Sequence, residues 1–191
     1  RFVNSYRHDA YRYVIQQKAK FVGAYGSERV DNYLDAAFRK RCYELVDNTS
    51  NKTEIRAFHQ DVKEILPSRS DYFKTRMAFY LNRGNSRKDF RMAKKYEKHC
   101  TDAKSLNALA RYLIEIHGKS ETHLEAALEW GNKAVMMDEN IYTLETKAMA
   151  LMGLGKKMEA LEVAKKQLVL SEEKEEYITE TKALIEKIQA M

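Results

Sequence analysis

One proline and seven glycines are the only strong chain breakers in 191 residues. A β-sandwich or barrel needs a turn signal roughly every eight to twelve residues, and this chain has nowhere near enough of them. A dinucleotide-binding sheet would announce itself with a glycine-rich phosphate turn, and none is present. Hydrophobic residues make up 44% of the chain and charged residues 32%, which is too apolar for disorder and normal for a packed core. No apolar run approaches the roughly 18 residues of a membrane span. An all-α fold is what remains.

The apolar spacing agrees. Residues recur at intervals of three and four from end to end, broken by short polar caps. Tyr6, Ala10, Tyr13, Val14 and Phe21 form a first stripe, which Gly23 to Gly26 is expected to break. Ser27 then reads as the cap of a helix carrying Val30, Leu34, Ala37, Phe38, Cys42 and Leu45. A further helix with Ile55, Phe58, Val62, Ile65 and Leu66 stops at Pro67, which cannot continue the hydrogen-bond ladder. From Ser70 the units become regular. Ser70, Ser86, Asp102, Thr122, Asn140 and Ser171 each read as an N-cap, with capping boxes at Ser86–Asp89 and Thr122–Glu125. Gly84, Gly118 and Gly155 close the first helices of successive hairpins. Glu172 and Glu173 then fall on the first turn of a last helix, where they complement its dipole. The expected organisation is one continuous domain, in which 1–69, irregular front helices, pack on 70–191, regular hairpins with a capping helix.

Small residues in the second helices keep a fixed step. Ala93, Ala127 and Ala160 are 34 and 33 residues apart, Leu128 and Leu161 are 33 apart, and Tyr96 and Trp130 are 34 apart. A helix–turn–helix unit of this period resembles the tetratricopeptide repeat, TPR. Small side chains let the helices of a hairpin approach, while large ones fill the groove to the next. The unit from Leu144 to Leu170 fits best, through Ala148, Leu151, Gly155, Ala160, Ala164 and Leu168, although Gln167 stands where a late alanine is usual. The resemblance implies a right-handed α-α superhelix of TPR-like hairpins, binding through the concave face of its first helices. On that analogy Lys74, Tyr112, Glu115, Tyr142, Glu145 and Met149 are the groove residues. Their mixed charge argues against a clamp for a peptide carboxylate.

Three runs carry a narrower likeness: Leu106 to Tyr112, Ala126 to Val135, and Gly155 to Leu161. They are similar to the C-terminal helical region of bacterial envelope proteins of the thioredoxin family. Phe21 to Val30 is similar to the linker that precedes that region. The resemblance implies a periplasmic or cell-envelope location and a thioredoxin-fold neighbour. No Cys-x-x-Cys occurs in this chain, so any oxidoreductase activity belongs to another domain. The start at Arg1-Phe2-Val3-Asn4 lacks the layout of a secretory signal and leads us to expect a processed or excised piece.

Charge is uneven. Residues 1–100 carry 22 Lys/Arg against 12 Asp/Glu, a net +10, whereas residues 101–191 carry 12 against 16, a net −4. The basic tracts are Arg39-Lys40-Arg41 and a face of Arg83, Arg87, Lys88, Arg91, Lys94, Lys95 and Lys98. Such a face would attract a phosphate backbone, but Phe90 and Tyr96 fall on the apolar stripe and are expected to be buried rather than stacked on bases.

No nucleotide loop, zinc-binding or nucleophile motif is present. His117 and His123 flank one turn and read as solvated rather than as a metal site. His99 and Cys100 are adjacent on a helix and so diverge. The Met136, Met137, Met149, Met152 and Met158 set reads as core and groove packing. Glu172, Glu173, Glu175, Glu176 and Glu180 read as a solvated acidic face. Cys42 and Cys100 read as buried free thiols. The expected function is non-catalytic: a scaffold holding a protein partner or a neighbouring domain, with no cofactor and no metal. A nucleic-acid-binding helical repeat is the alternative.

Overall fold

The computed structural model describes residues 9–34, 36–37, 53, 55–56, 59–60 and 69–191. Among them all regular structure is helical and no strand occurs. The chain divides into two compact units, Arg1–Met92 and Ala93–Met191. The change expected at 69–70 coincides with the first residues of a helix inside the first unit. Pro67, Cys42, the Arg39-Lys40-Arg41 tract, Phe38, Leu45, Phe58, Val62, Ile65 and Leu66 lie outside the described residues.

In the first unit, α1 (Asp9–Gln16) and α2 (Lys18–Tyr25) are separated by Gln17 alone. Gly23 lies inside α2 instead of breaking it, because a helical glycine costs only about 1 kcal/mol. The break falls at Gly26, whose φ of 81° a side chain would strain. Residues 27–34 are helical again, so Ser27 is the first residue of that turn rather than its cap. Phe21 meets Tyr13 edge-on, with centroids 5.9 Å apart, and stacks on Tyr25 at 6.2 Å.

Helix α3 (Arg69–Asn82) contains Ser70, so that residue is not its cap either. Phe73, Met77, Phe79 and Tyr80 are buried, and Phe79, which the periodicity did not single out, is fully so. The helix ends in a Schellman turn: Asn85 N–H bonds the Tyr80 carbonyl at 2.9 Å and Gly84 N–H that of Leu81 at 2.8 Å. Gly84 holds the required left-handed conformation, with φ 62°. In α4 (Ser86–Glu97), Asn85 rather than Ser86 is the cap, accepting the Lys88 N–H at 3.1 Å. Asp89, expected to complete a capping box, is fully buried.

The second unit is regular. Helices α5 (Ala103–His117), α6 (Glu121–Met137), α7 (Ile141–Gly153), α8 (Lys157–Lys174) and α9 (Ile178–Gln189) are joined by links of three residues each. Helix α5 packs on α6 and on α7, α6 on α7, α7 on α8, and α8 on α9. Ala93, Ala110, Ala127, Ala134, Ala148, Ala160 and Ala164 are fully buried, which permits this close approach. At Gly131 a β-carbon would lie 3.7 Å from the Lys147 Cα, so the α6 and α7 backbones nearly touch there. Leu151 and Ile188, with Leu128, Leu161, Val163, Leu184 and Ile185 around them, tie α9 into this core.

The caps differ in part from expectation. Asp102 caps α5, accepting the Ser105 N–H and Oγ–H, both at 2.8 Å. Asn140 and Thr143 form a reciprocal capping box on α7, each bond 3.0 Å long. Helix α6 starts one residue before Thr122, with Ser120 at the cap position. Ser171 lies inside α8 and is fully buried. It meets the Thr181 hydroxyl at 3.2 Å, and Gln167 Nε2 donates to the same oxygen at 3.0 Å. A buried polar seam therefore joins α8 to α9. Glu172 and Glu173 consequently sit at the negative end of α8, and only Glu180 occupies the first turn of α9.

Candidate functional site

The second unit places first helices α5 and α7 side by side, and their partly exposed side chains meet. Arg111 on α5 donates from Nε to Glu115 at 2.8 Å and from a terminal nitrogen to Glu145 on α7 at 2.6 Å. Glu145 is largely enclosed, with its side chain 16% exposed. Arg111 and Glu145 stand 34 residues apart, the step expected from the sequence. On α7, Tyr142, Glu145 and Met149 follow at i, i+3 and i+7 and so share one face.

The turn after α8 completes this face. It is a Schellman end without glycine: Glu176 N–H bonds the Ser171 carbonyl at 3.0 Å, and Glu175 takes the left-handed position with φ 56°. Tyr177 follows at φ 58°. A left-handed residue with a β-carbon costs about 1 kcal/mol, and here two of them flank one residue. The consequence is placement: the Tyr177 ring meets Tyr142 edge-to-face at 5.1 Å, while the two residues stay 42% and 44% exposed. A hydrogen bond to Tyr177 pushes the Tyr142 phenol up, and the charges of Glu176 and Glu145 add to this. The face thus pairs exposed aromatic area with carboxylates.

Of the predicted groove residues, Glu115 and Glu145 meet through Arg111, and Tyr142 and Met149 share their helix face. Tyr112 belongs to a second cluster. Its ring lies edge-on to His117 at 6.0 Å, and His117 lies 4.6 Å from His123. Ser120 Oγ holds His123 Nδ1 at 2.6 Å. The two histidines are therefore half-buried ring partners rather than solvated side chains. No group of three metal-ligating residues occurs among the described residues. Lys74 is exposed in the first unit.

The seven basic residues are all exposed: Arg83, Arg87, Lys88 and Arg91 in the first unit, and Lys94, Lys95 and Lys98 in the second. Phe90 and Tyr96 are half-buried, not fully enclosed as expected. In the second unit Lys133 bonds both Glu129 and Glu97, at 2.8 and 2.9 Å, and these contacts raise its pKa. Cys100 is buried and free, its thiol pushed up by that burial. Met149 and Met152 are half-buried, whereas Met136, Met137 and Met158 are exposed, so the methionine set is only partly core.

Sequence reasoning passed over Arg111 and Tyr177. The first had a signal, an opposite charge one repeat away. The second had none, because its position depends on the left-handed turn.

No family model matches the chain, and neither a curated protein nor a solved structure does. No described helix is long and apolar enough to cross a membrane.

Proposed function

We propose that the chain is a non-catalytic, TPR-like scaffold, a right-handed superhelix of hairpins whose first helices hold a protein partner or a neighbouring domain. One observation carries this reading: α5 contacts α7 directly, and Arg111 bridges to Glu145 across a 34-residue step. Packing of each first helix on its own partner and on the next first helix is what a stack of hairpins requires. The exposed Tyr142–Tyr177 pair on that face supplies the amphipathic aromatic area that anchors protein interfaces. On the thioredoxin-family resemblance, the neighbouring domain would carry that fold.

Selection of a displayed peptide library against the full chain tests the reading. Selected peptides should lose about tenfold in affinity to Tyr142→Ala and to Tyr177→Ala. They should bind Val169→Ala unchanged, since Val169 is an exposed position of α8. Peptides indifferent to both tyrosines would end it.

A nucleic-acid-binding role for the basic face has its own support in the exposure of all seven cations. It requires an RNA or DNA affinity that falls steeply with salt, and no binding at low salt removes it.

A further inference from the structure

We propose that Tyr72, Arg76 and Lys88 form a binding site for a phosphate group, either free or carried on a nucleic acid. The site lies in the first unit and does not depend on the scaffold reading of the second.

Helix α3 sets Tyr72, Arg76 and Tyr80 at intervals of four, on one face. The Arg76 guanidinium lies between the two phenols, 5.3 and 5.5 Å from their ring centres. It donates to the Tyr72 hydroxyl at 2.7 Å and to the Tyr80 hydroxyl at 2.9 Å. Both hydroxyl oxygens act as acceptors, so each O–H proton must go elsewhere. The Tyr80 hydroxyl has His59 Nε2 at 3.2 Å. Burial, with the nearby charges of Arg76 and Lys88, lowers the His59 pKa to about 4, so its imidazole is neutral and can accept that proton. The Tyr72 O–H remains available as a donor. From α4, Lys88 brings its ammonium to 5.4 Å from the centre of the Tyr80 ring.

Two cations thus lie within 5.5 Å of the centre of one phenol ring. Among the described residues no carboxylate lies within ion-pair distance of either of them. The Arg76 Nε–H is enclosed without an acceptor. Other cations are paired: Lys18 holds Asp31 in the first unit, and Arg111, Lys133 and Lys166 each hold a glutamate in the second, all at 2.9 Å or less. A partly desolvated guanidinium with no counter-charge among the described side chains is costly, and a second cation against the same ring adds repulsion. An anion answers both. A phosphate carries enough charge for two cations and enough oxygens for guanidinium, ammonium and phenol donors together. Exposed Arg87 and Arg91 lie on the same helix as Lys88 and extend the attractive field.

The test titrates the full chain with inorganic phosphate at constant ionic strength, with chloride as the balancing ion. Binding is read from the chemical shifts of Tyr72, Tyr80 and His59. Lys88 is exposed, so K88Q should fold normally and weaken phosphate binding by about tenfold, and R76Q should weaken it further. Bound phosphate should also raise the His59 pKa, because it offsets the two charges that lower it. Absence of binding, or a K88Q affinity equal to the parent's, overturns the proposal. A single-stranded RNA oligonucleotide forms the second arm. RNA displaced by phosphate and lost in K88Q identifies the source as nucleic acid, whereas phosphate binding without RNA binding identifies a free phosphate.

Discussion

The two units solve the same problem with different side chains. Residues 1–92 hold 15 of the 20 aromatic residues, and residues 93–191 hold 13 of the 20 alanines. In the first unit, beside the Lys18–Asp31 ion pair, many described contacts are ring on ring, cation on ring and phenol hydrogen bonds, as in the Tyr13–Phe21–Tyr25 ladder and around Arg76. Such contacts are directional and suit irregular helices. In the second unit, alanines bring helices together, and opposite charges meet between helices, as with Arg111 and Glu145. A small residue constrains only how near a neighbour can come, so it can recur at every step. Periodicity is cheap to build from alanine and hard to build from tyrosine.

This contrast can be broken at several points. The largest effect is expected from Ala127→Leu, which forces bulk into a fully buried position of α6 and should destabilise the protein by about 3 kcal/mol in urea unfolding. Ala108→Leu, on the exposed side of α5, should stay within about 0.5 kcal/mol. Equal costs would mean that close approach is not what the alanines provide.

Thr181→Val comes next, at about 2 kcal/mol. It strips Gln167 Nε2 and Ser171 Oγ of their shared partner inside the α8–α9 seam. Gln167→Met should cost far less, because the Gln167 Oε1 it removes is buried without a partner. A reversed order would show that the seam is apolar in effect.

The first unit has a pH signature that rests on His59. Unfolded His59 binds a proton near its ordinary value of 6.5, and folded His59 only near 4. The unfolded chain therefore holds more protons between these values. Stability is full above about pH 6.5 and falls as pH drops toward 4, by about 1 kcal/mol once solvent screening at a partly exposed site is counted. His59→Asn should flatten that part of the unfolding profile, and an unchanged slope would assign it elsewhere. The smallest effect is expected from Arg111→Met, about 0.5 kcal/mol at low salt and less at high salt, because its partners are partly solvated.

Helices and their step were legible because periodicity is a local property. Asp102, Asn140 and Gly155 were read correctly, each set by the few residues beside it. Ser86 lies one residue past the cap, which Asn85 supplies, and Thr122 lies two past Ser120, whose hydroxyl holds His123 rather than a backbone N–H. Ser171 was misread for another reason. Its hydroxyl partner, Thr181, lies ten residues on, so a tertiary contact keeps α8 running past a residue that prefers caps. Gly23 shows the converse, a glycine absorbed by a helix that does not need it to bend. At the candidate site, Tyr142, Glu145 and Met149 came from the TPR analogy, and their spacing on α7 gives them one face. Tyr177 did not, since a left-handed tyrosine leaves no mark in the sequence.

The claim that the first-helix face holds a partner is tested most directly by site-specific photocrosslinking in the native cellular context. A photoreactive residue replaces Tyr142 in one variant and Val169 in another, two exposed positions on different helices. The account predicts one discrete crosslinked species from position 142, to a protein partner or a neighbouring domain, and none from position 169. Crosslinks confined to position 169, or equal at both, would contradict it.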